Sequence, residues 1–221
     1  YYASRGLGDV YKRQGLELSQ ADLIRNYILM GLEPALQNEL YNNYWRKMEQ
    51  LFGQEAYNQY FDDFMRHYLT TKTGYIPNIR QVYNEFKRFS HSTFPNDIKG
   101  LVNDIYTYAG YYCAFALNKE NEPTLKQAFT DLRELKVEVA YPVLLDAYHA
   151  YKKHNINHEE LCQIVRLIES YVFRRSVCDI PTNSLNKTFA ALAKSLDKEH
   201  YLENLQVQLL TLSLIHISEP T

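Results

Sequence analysis

The chain has 221 residues, of which 46% are hydrophobic and 23% charged, the balance of an ordinary folded domain with room for a substantial core. Its formal net charge of −2 excludes a general electrostatic pull on nucleic acid, so any such contact has to be a local patch. Tyrosine is in excess, at 20 residues. In a helical protein tyrosine more often packs with its ring buried and its hydroxyl wet than stacks on bases. Cys113, Cys162 and Cys178 share no C-x-x-C spacing, and neither a secretory signal nor a bilayer-spanning apolar run is visible. These features predict free thiols in a reducing, cytoplasmic setting and no membrane partner.

Taken in order, the chain opens with YYASRGLGDVYKRQ and closes with SLIHISEPT. Both stretches resemble conceptual translations of sequencing-library adapter. Residues 1–14 and 213–221 are therefore expected to be tails with few core contacts, flanking a single helical domain over 15–212, with one or two lobes. Ser19-x-x-Asp22 is a capping-box pattern ahead of an apolar face at Leu23, Ile24, Tyr27 and Ile28. Pro34 suits the first turn of a second helix that runs to Phe52, with Gly53 as its stop. A third helix spans Gln54 to Thr71 and ends at Gly74, and Ile76-Pro77-Asn78 turns into a short helix reaching Phe89. Asn96 starts a long tyrosine-rich helix through Leu117, and Pro123 and Pro142 open two more, the latter reaching His154.

Asn157 then caps a long helix whose apolar positions Leu161, Ile164, Val165, Ile168 and Val172 share one face. Pro181 stops it near Asp179; Thr182 or Asn183 caps the next helix, whose stripe begins at Leu185 and Phe189, and a last helix covers Lys198 to Leu210. No segment alternates with strand periodicity and no repeat period is evident. The expected fold is all-α, an irregular array of about nine to ten antiparallel helices.

The search for chemistry is mostly negative. Phosphate-cradling glycine loops, H-E-x-x-H, paired C-x-x-C and G-x-S-x-G are all absent. His154, His158 and Cys162 recur every four residues, but the turn at Asn155-Ile156-Asn157 breaks their helical alignment and with it a metal site. Asp62-Asp63 with Glu55 reads as a solvated acidic face. Arg174-Arg175 is a cationic pair near a helix C-terminus, where positive charge suits the macrodipole. A DNA-facing role is the alternative, although adjacent helical residues point about 100° apart.

A resemblance goes further. ESYVFRRSVCDIPTNSLNKTF (169–189) is similar to the late helical segment of GmrSD-type proteins, the modification-dependent (Type IV) restriction systems. GLELSQADLIRNYILM (15–30) and YLTTKTGYIPNIRQVYNEFK (68–87) resemble the family's earlier segments in the same order. The resemblance implies the helical part of a GmrS-like half, linking a nucleotide-sensing region to an HNH-type nuclease. In the family an Asp-Gly-Gln-Gln-Arg-type motif lies before the first segment and the nuclease after the last, so no catalytic residue and no metal site carries over. Candidate nucleic-acid or nucleotide contacts that do carry over are Arg25, Asn26, Arg174, Arg175, Asn183 and Lys187, with Asp22 and Asn186 beside them. The resemblance implies no cofactor for this chain and, for a parent protein, a nucleoside triphosphate and a divalent metal. Implied partners are DNA, the nucleotide-binding and nuclease regions, and a second copy of the chain. Two alternatives stand: a non-enzymatic helical module that packs a partner protein on tyrosine-rich faces, and a nucleotide-hydrolysing regulator without a nuclease.

Overall fold

Local capping rules account for where the helices begin and end. The computed structural model describes residues 18–180, 184–197 and 200–218. Among these residues there is no strand, and the architecture is all-α with about ten helices. α1 (Gln20–Leu29) is capped by Ser19, whose hydroxyl accepts from the Asp22 amide at 3.1 Å. The reciprocal half of the predicted box differs. Asp22 takes the Ser19 hydroxyl and the Arg25 guanidinium, while the free amides of Gln20 and Ala21 donate to Asp62, far along the chain. A helix N-terminus carries unsatisfied donors, and here another helix supplies the acceptor.

The predicted helix from Pro34 to Phe52 is interrupted. α2 (Pro34–Leu40) passes into a π-helical turn, Tyr41–Trp45, before α3 (Arg46–Phe52). Leu40 and Trp45, five residues apart, are both fully buried. In an α-helix that spacing would put them on different sides; the i→i+5 turn realigns them. Gly53, at φ +81°, ends α3.

α4 (Gln54–Thr73) is the central rod and stops at Gly74 in the left-handed conformation. A 3-10 turn (Ile79–Gln81) capped by Asn78 leads into α5 (Val82–Thr93). α6 (Ile98–Ala116) is capped by Asp97, one residue beyond the predicted Asn96, and α7 (Pro123–Glu134) by Glu122. A second 3-10 turn, Glu138–Ala140, precedes α8 (Tyr141–Lys152). α9 (His158–Val177) carries the complete capping box of Asn157 and Glu160. α10 (Leu185–Ser195) and α11 (Tyr201–Ser218) close the described chain. The backbone of α11 continues past the predicted end at Leu210, since no glycine or proline intervenes before Pro220. The predicted tail over 1–14 and the Thr182-Asn183 cap lie outside the described residues.

α4 packs against α1, α3, α5, α6, α8 and α10. One hydrophobic core runs from Ala21 to Leu209. Its centre is aromatic: Phe52, Tyr57, Phe61, Phe64 and Tyr112 contact one another with centroids 4.5–6.2 Å apart. Fully burying each such ring stabilises the fold by about 1.5–3 kcal/mol, and Phe64→Ala would cost about 3–5 kcal/mol. Tyr57, Tyr68, Tyr108, Tyr112, Tyr148, Tyr171 and Tyr201 are all buried, so the tyrosine excess goes largely into packing. Tyr57 accepts the buried Trp45 indole N–H at 3.0 Å. No helix among the described residues is long and apolar enough to cross a membrane.

Candidate functional site

The residues singled out by sequence do not converge on one place. Arg25, on α1, bonds Asp22 at 2.9 Å and reaches Glu49 of α3 at 3.4 Å, so it braces two helices. Asn26 is half-buried on α1, its carbonyl accepting the amide of Met30. The Arg174-Arg175 pair splits as the 100° step demands. Arg175 turns inward, 4% exposed, its guanidinium on the Tyr171 ring at 5.7 Å. Arg174 faces solvent, its Nε donating to the Ser170 carbonyl one turn back. Lys187 is exposed on the first turn of α10, beside Asn186, whose side chain accepts the Lys187 amide. Asn183 lies outside the described residues. Among the described residues neither Arg174 nor Lys187 has a carboxylate partner. Arg166, by contrast, is engaged by Asp131 and Glu169 at 2.6 and 2.7 Å.

Two polar clusters lie away from these residues, and the second contains His158 and Cys162 of the four-residue spacing noted in the sequence. In the first, Lys72 of α4 pairs with Asp104 of α6 at 2.8 Å and lies 4.0 Å over the Tyr108 ring. Tyr68 donates to the same carboxylate at 2.6 Å, and His149 stacks on Tyr108. Burial, with the Asp104 charge, raises the Tyr68 and Tyr108 phenols well above their usual range. Burial and the Lys72 charge push His149 down. All three are therefore neutral near pH 7, and the lysine charge is spent on a carboxylate. The cluster locks α4, α6 and α8 together.

The second cluster is Glu122, His158 and Cys162, at the start of α7 and α9. Glu122 lies 2.7 Å from His158 Nε2, and the Cys162 sulfur lies 3.8 Å from that same nitrogen. The amide of Leu125 and the His158 contact lower Glu122 to about 2, while burial, then Glu122, raises Cys162. Both partners occupy one ring nitrogen, so the imidazole cannot relay a proton between them, and the sulfur stays a thiol. His154 stands in the turn before the Asn157 cap at φ +60°, which breaks the four-residue alignment as predicted. No group of three His, Cys, Asp or Glu side chains among the described residues is arranged to hold a metal. A shallow depression of about 620 Å³ runs from Tyr151 to Glu160, and another of about 360 Å³ from Phe52 to Tyr60. Neither concentrates convergent catalytic groups.

Comparison with family models, with curated proteins and with solved structures finds no match to this chain.

Proposed function

We propose that this chain is the helical segment of a GmrS-like, modification-dependent restriction protein, linking a nucleotide-sensing region to a nuclease and contacting DNA. Three separate segments, 15–30, 68–87 and 169–189, resemble that family in its own order. The structural observation that supports a DNA contact is the state of Arg174 and Lys187. Both are exposed and without carboxylate partners, while Arg25, Arg166 and Arg175 are consumed by internal contacts. Cations left in solvent are the kind that neutralise phosphates and release counterions. The nucleoside triphosphate, the divalent metal and the catalytic residues belong, on this reading, to the regions on either side of these segments.

The test is the whole locus. An Asp-Gly-Gln-Gln-Arg-type motif before these segments, a histidine-containing nuclease motif after them, and fewer plaques for phage with modified bases than for an unmodified isogenic phage support the reading. A locus lacking both motifs and giving equal plating refutes it.

A second reading is favoured by one observation. Phe173 and Val177, one turn apart on α9, are 56% and 69% exposed, an apolar stripe suited to a partner protein. A partner-binding module predicts that Phe173→Ser with Val177→Ser abolishes capture of that partner and leaves DNA affinity unchanged.

A further inference from the structure

The two longest stretches of the chain without an acidic residue lie far apart in sequence. From Phe64 to Asn84 there is no aspartate or glutamate, while Arg66, Lys72 and Arg80 occur; from Ile180 to Leu196 there is again none, while Lys187 and Lys194 occur. In a chain with a net charge of −2 this segregation is a local departure from the average. The fold brings the two stretches together, because α10 packs on α4. The joint is close. Lys194 Nζ lies 3.4 Å from the Thr73 carbonyl, and a Cβ added to Gly74, which sits at φ +73°, would meet Lys194 Cδ at 2.7 Å. Only glycine there permits both the turn and the lysine lying across it.

The outward face of α10 is set by its buried one. Leu185, Phe189, Leu192 and Ala193 point inward, which leaves Lys187, Ala191 and Lys194 exposed on one stripe. The two lysines are seven residues, or about 10.5 Å, apart along the helix. Beside Lys194, just beyond Gly74, Tyr75 is 56% exposed in a protein whose tyrosines are mostly packed. Arg80 is exposed at the far end of the same loop. The loop is held in shape: Arg66 donates to the Pro77 carbonyl at 2.8 Å, the Tyr75 amide to Thr73 Oγ1 at 3.1 Å, and the Arg80 amide to Asn78 at 3.0 Å. Among the described residues, Arg80, Lys187 and Lys194 have no carboxylate partner. Of the acidic groups around this face, Glu138 lies on the 3-10 turn packed against α10, Asp146 is buried on α8, Asp104 is neutralised by Lys72, and Asp197 is exposed three residues after Lys194.

We infer that the surface formed by Tyr75, Arg80, Lys187 and Lys194 binds a single DNA strand, with phosphates along the lysine stripe and one unpaired base stacked on Tyr75. The inference rests on the DNA reading above and assigns the strand a place. A cationic track that follows the backbone, combined with an exposed ring that accepts any base face, is the chemistry of sequence-tolerant single-strand binding. Tyr75 and Lys194 played no part in the residues carried over by resemblance. The signal that would have found them is the absence of acid over two long windows, not any motif.

The test uses the full chain and a fluorescein-labelled, mixed-sequence single strand, followed by anisotropy across a salt series. Wild type is expected to bind at low salt more tightly than to the same sequence as a duplex. Lys187→Gln with Lys194→Gln should weaken binding and flatten the slope of log K against log salt by about 1.4, from two phosphates at about 0.7 each. Tyr75→Ala should weaken it by roughly 5- to 150-fold with the slope unchanged. Lys126→Gln with Lys136→Gln, the same loss of charge at exposed positions around α7, should leave binding as it is. Equal loss in both lysine pairs, no effect of Tyr75→Ala, or tighter binding to anionic vesicles or an acidic peptide than to DNA would each overturn the assignment. If wild type does not bind the strand at all, the surface assignment falls, while the restriction reading is still decided by the locus and plating experiment.

Discussion

Replacing Asp62 by alanine tests the long-range cap. In the folded chain its two carboxylate oxygens accept the Gln20 and Ala21 amides at 3.1 and 2.6 Å, tying the start of α1 to the middle of α4. A lost helix cap costs about 0.5–2 kcal/mol, and a hydrogen bond to a charged group contributes about 1.5–3 kcal/mol when shielded. The site is half-buried and water can reach the freed amides, so the expected loss for Asp62→Ala is about 1–2 kcal/mol. For a domain of this size that lowers Tm by about 2–8 °C. Asp62→Asn keeps an acceptor and should lose roughly half as much. Asp63→Ala is the control: burial raises that carboxyl, so its charged form opposes folding and the substitution should leave Tm unchanged or slightly higher. Thermal melts by circular dichroism, with amide exchange at Gln20 and Ala21, report the effect. A Tm for Asp62→Ala within about 1 °C of wild type would refute the idea that this cap holds α1 in place.

Other expectations can be checked on the same protein. Tyr57→Phe removes the acceptor of the buried Trp45 indole at 3.0 Å, which should cost about 1–3 kcal/mol in urea unfolding with the m-value unchanged; the single tryptophan reports it by fluorescence. Burial, then the Arg66 charge, lowers His67 from 6.5 to about 3, so the unfolded chain takes up a proton below pH 6.5 that the folded chain refuses. The stability this provides is complete above pH 6.5 and is lost as pH falls toward 3. At pH 5 the loss relative to pH 7 is about 1–2 kcal/mol, and His67→Phe, which keeps the packing against Tyr112 and Tyr141, should flatten that dependence in paired urea melts. On the proposed reading the catalytic residues lie on either side of these segments, so the purified chain should neither cleave modified DNA nor hydrolyse nucleotide above background; turnover abolished by a substitution between residues 15 and 210 would overturn this.

What could be read from the sequence was local. Ser19, Pro34, Gly74, Pro123 and Asn157 mark helix ends because caps and breakers act within a few residues of themselves. The apolar stripe of α9 likewise needs only its own periodicity. What could not be read depends on partners distant in sequence. Asp62 looked like part of a solvated acidic face, since nothing near it in sequence shows that it caps α1. Arg174 and Arg175 are chemically identical neighbours, and only the packing of α9 decides which is buried on Tyr171 and which meets solvent. Tyr75 and Lys194 become neighbours only when α10 lies across the end of α4.

The π-helical turn at Tyr41–Trp45 bears on how this chain should be compared with others. It lets five residues do the angular work of four, so Leu40 and Trp45 meet the same core. A relative one residue shorter between those positions could revert to plain α-helix and keep every downstream contact of Met48 and Phe52. The gap in an alignment then belongs inside the helix, at Tyr41–Tyr44, where insertions are normally penalised most. Placing it instead in the loops at Gly31 or Gly53 would shift the intervening residues by about 100° and set buried positions against exposed ones.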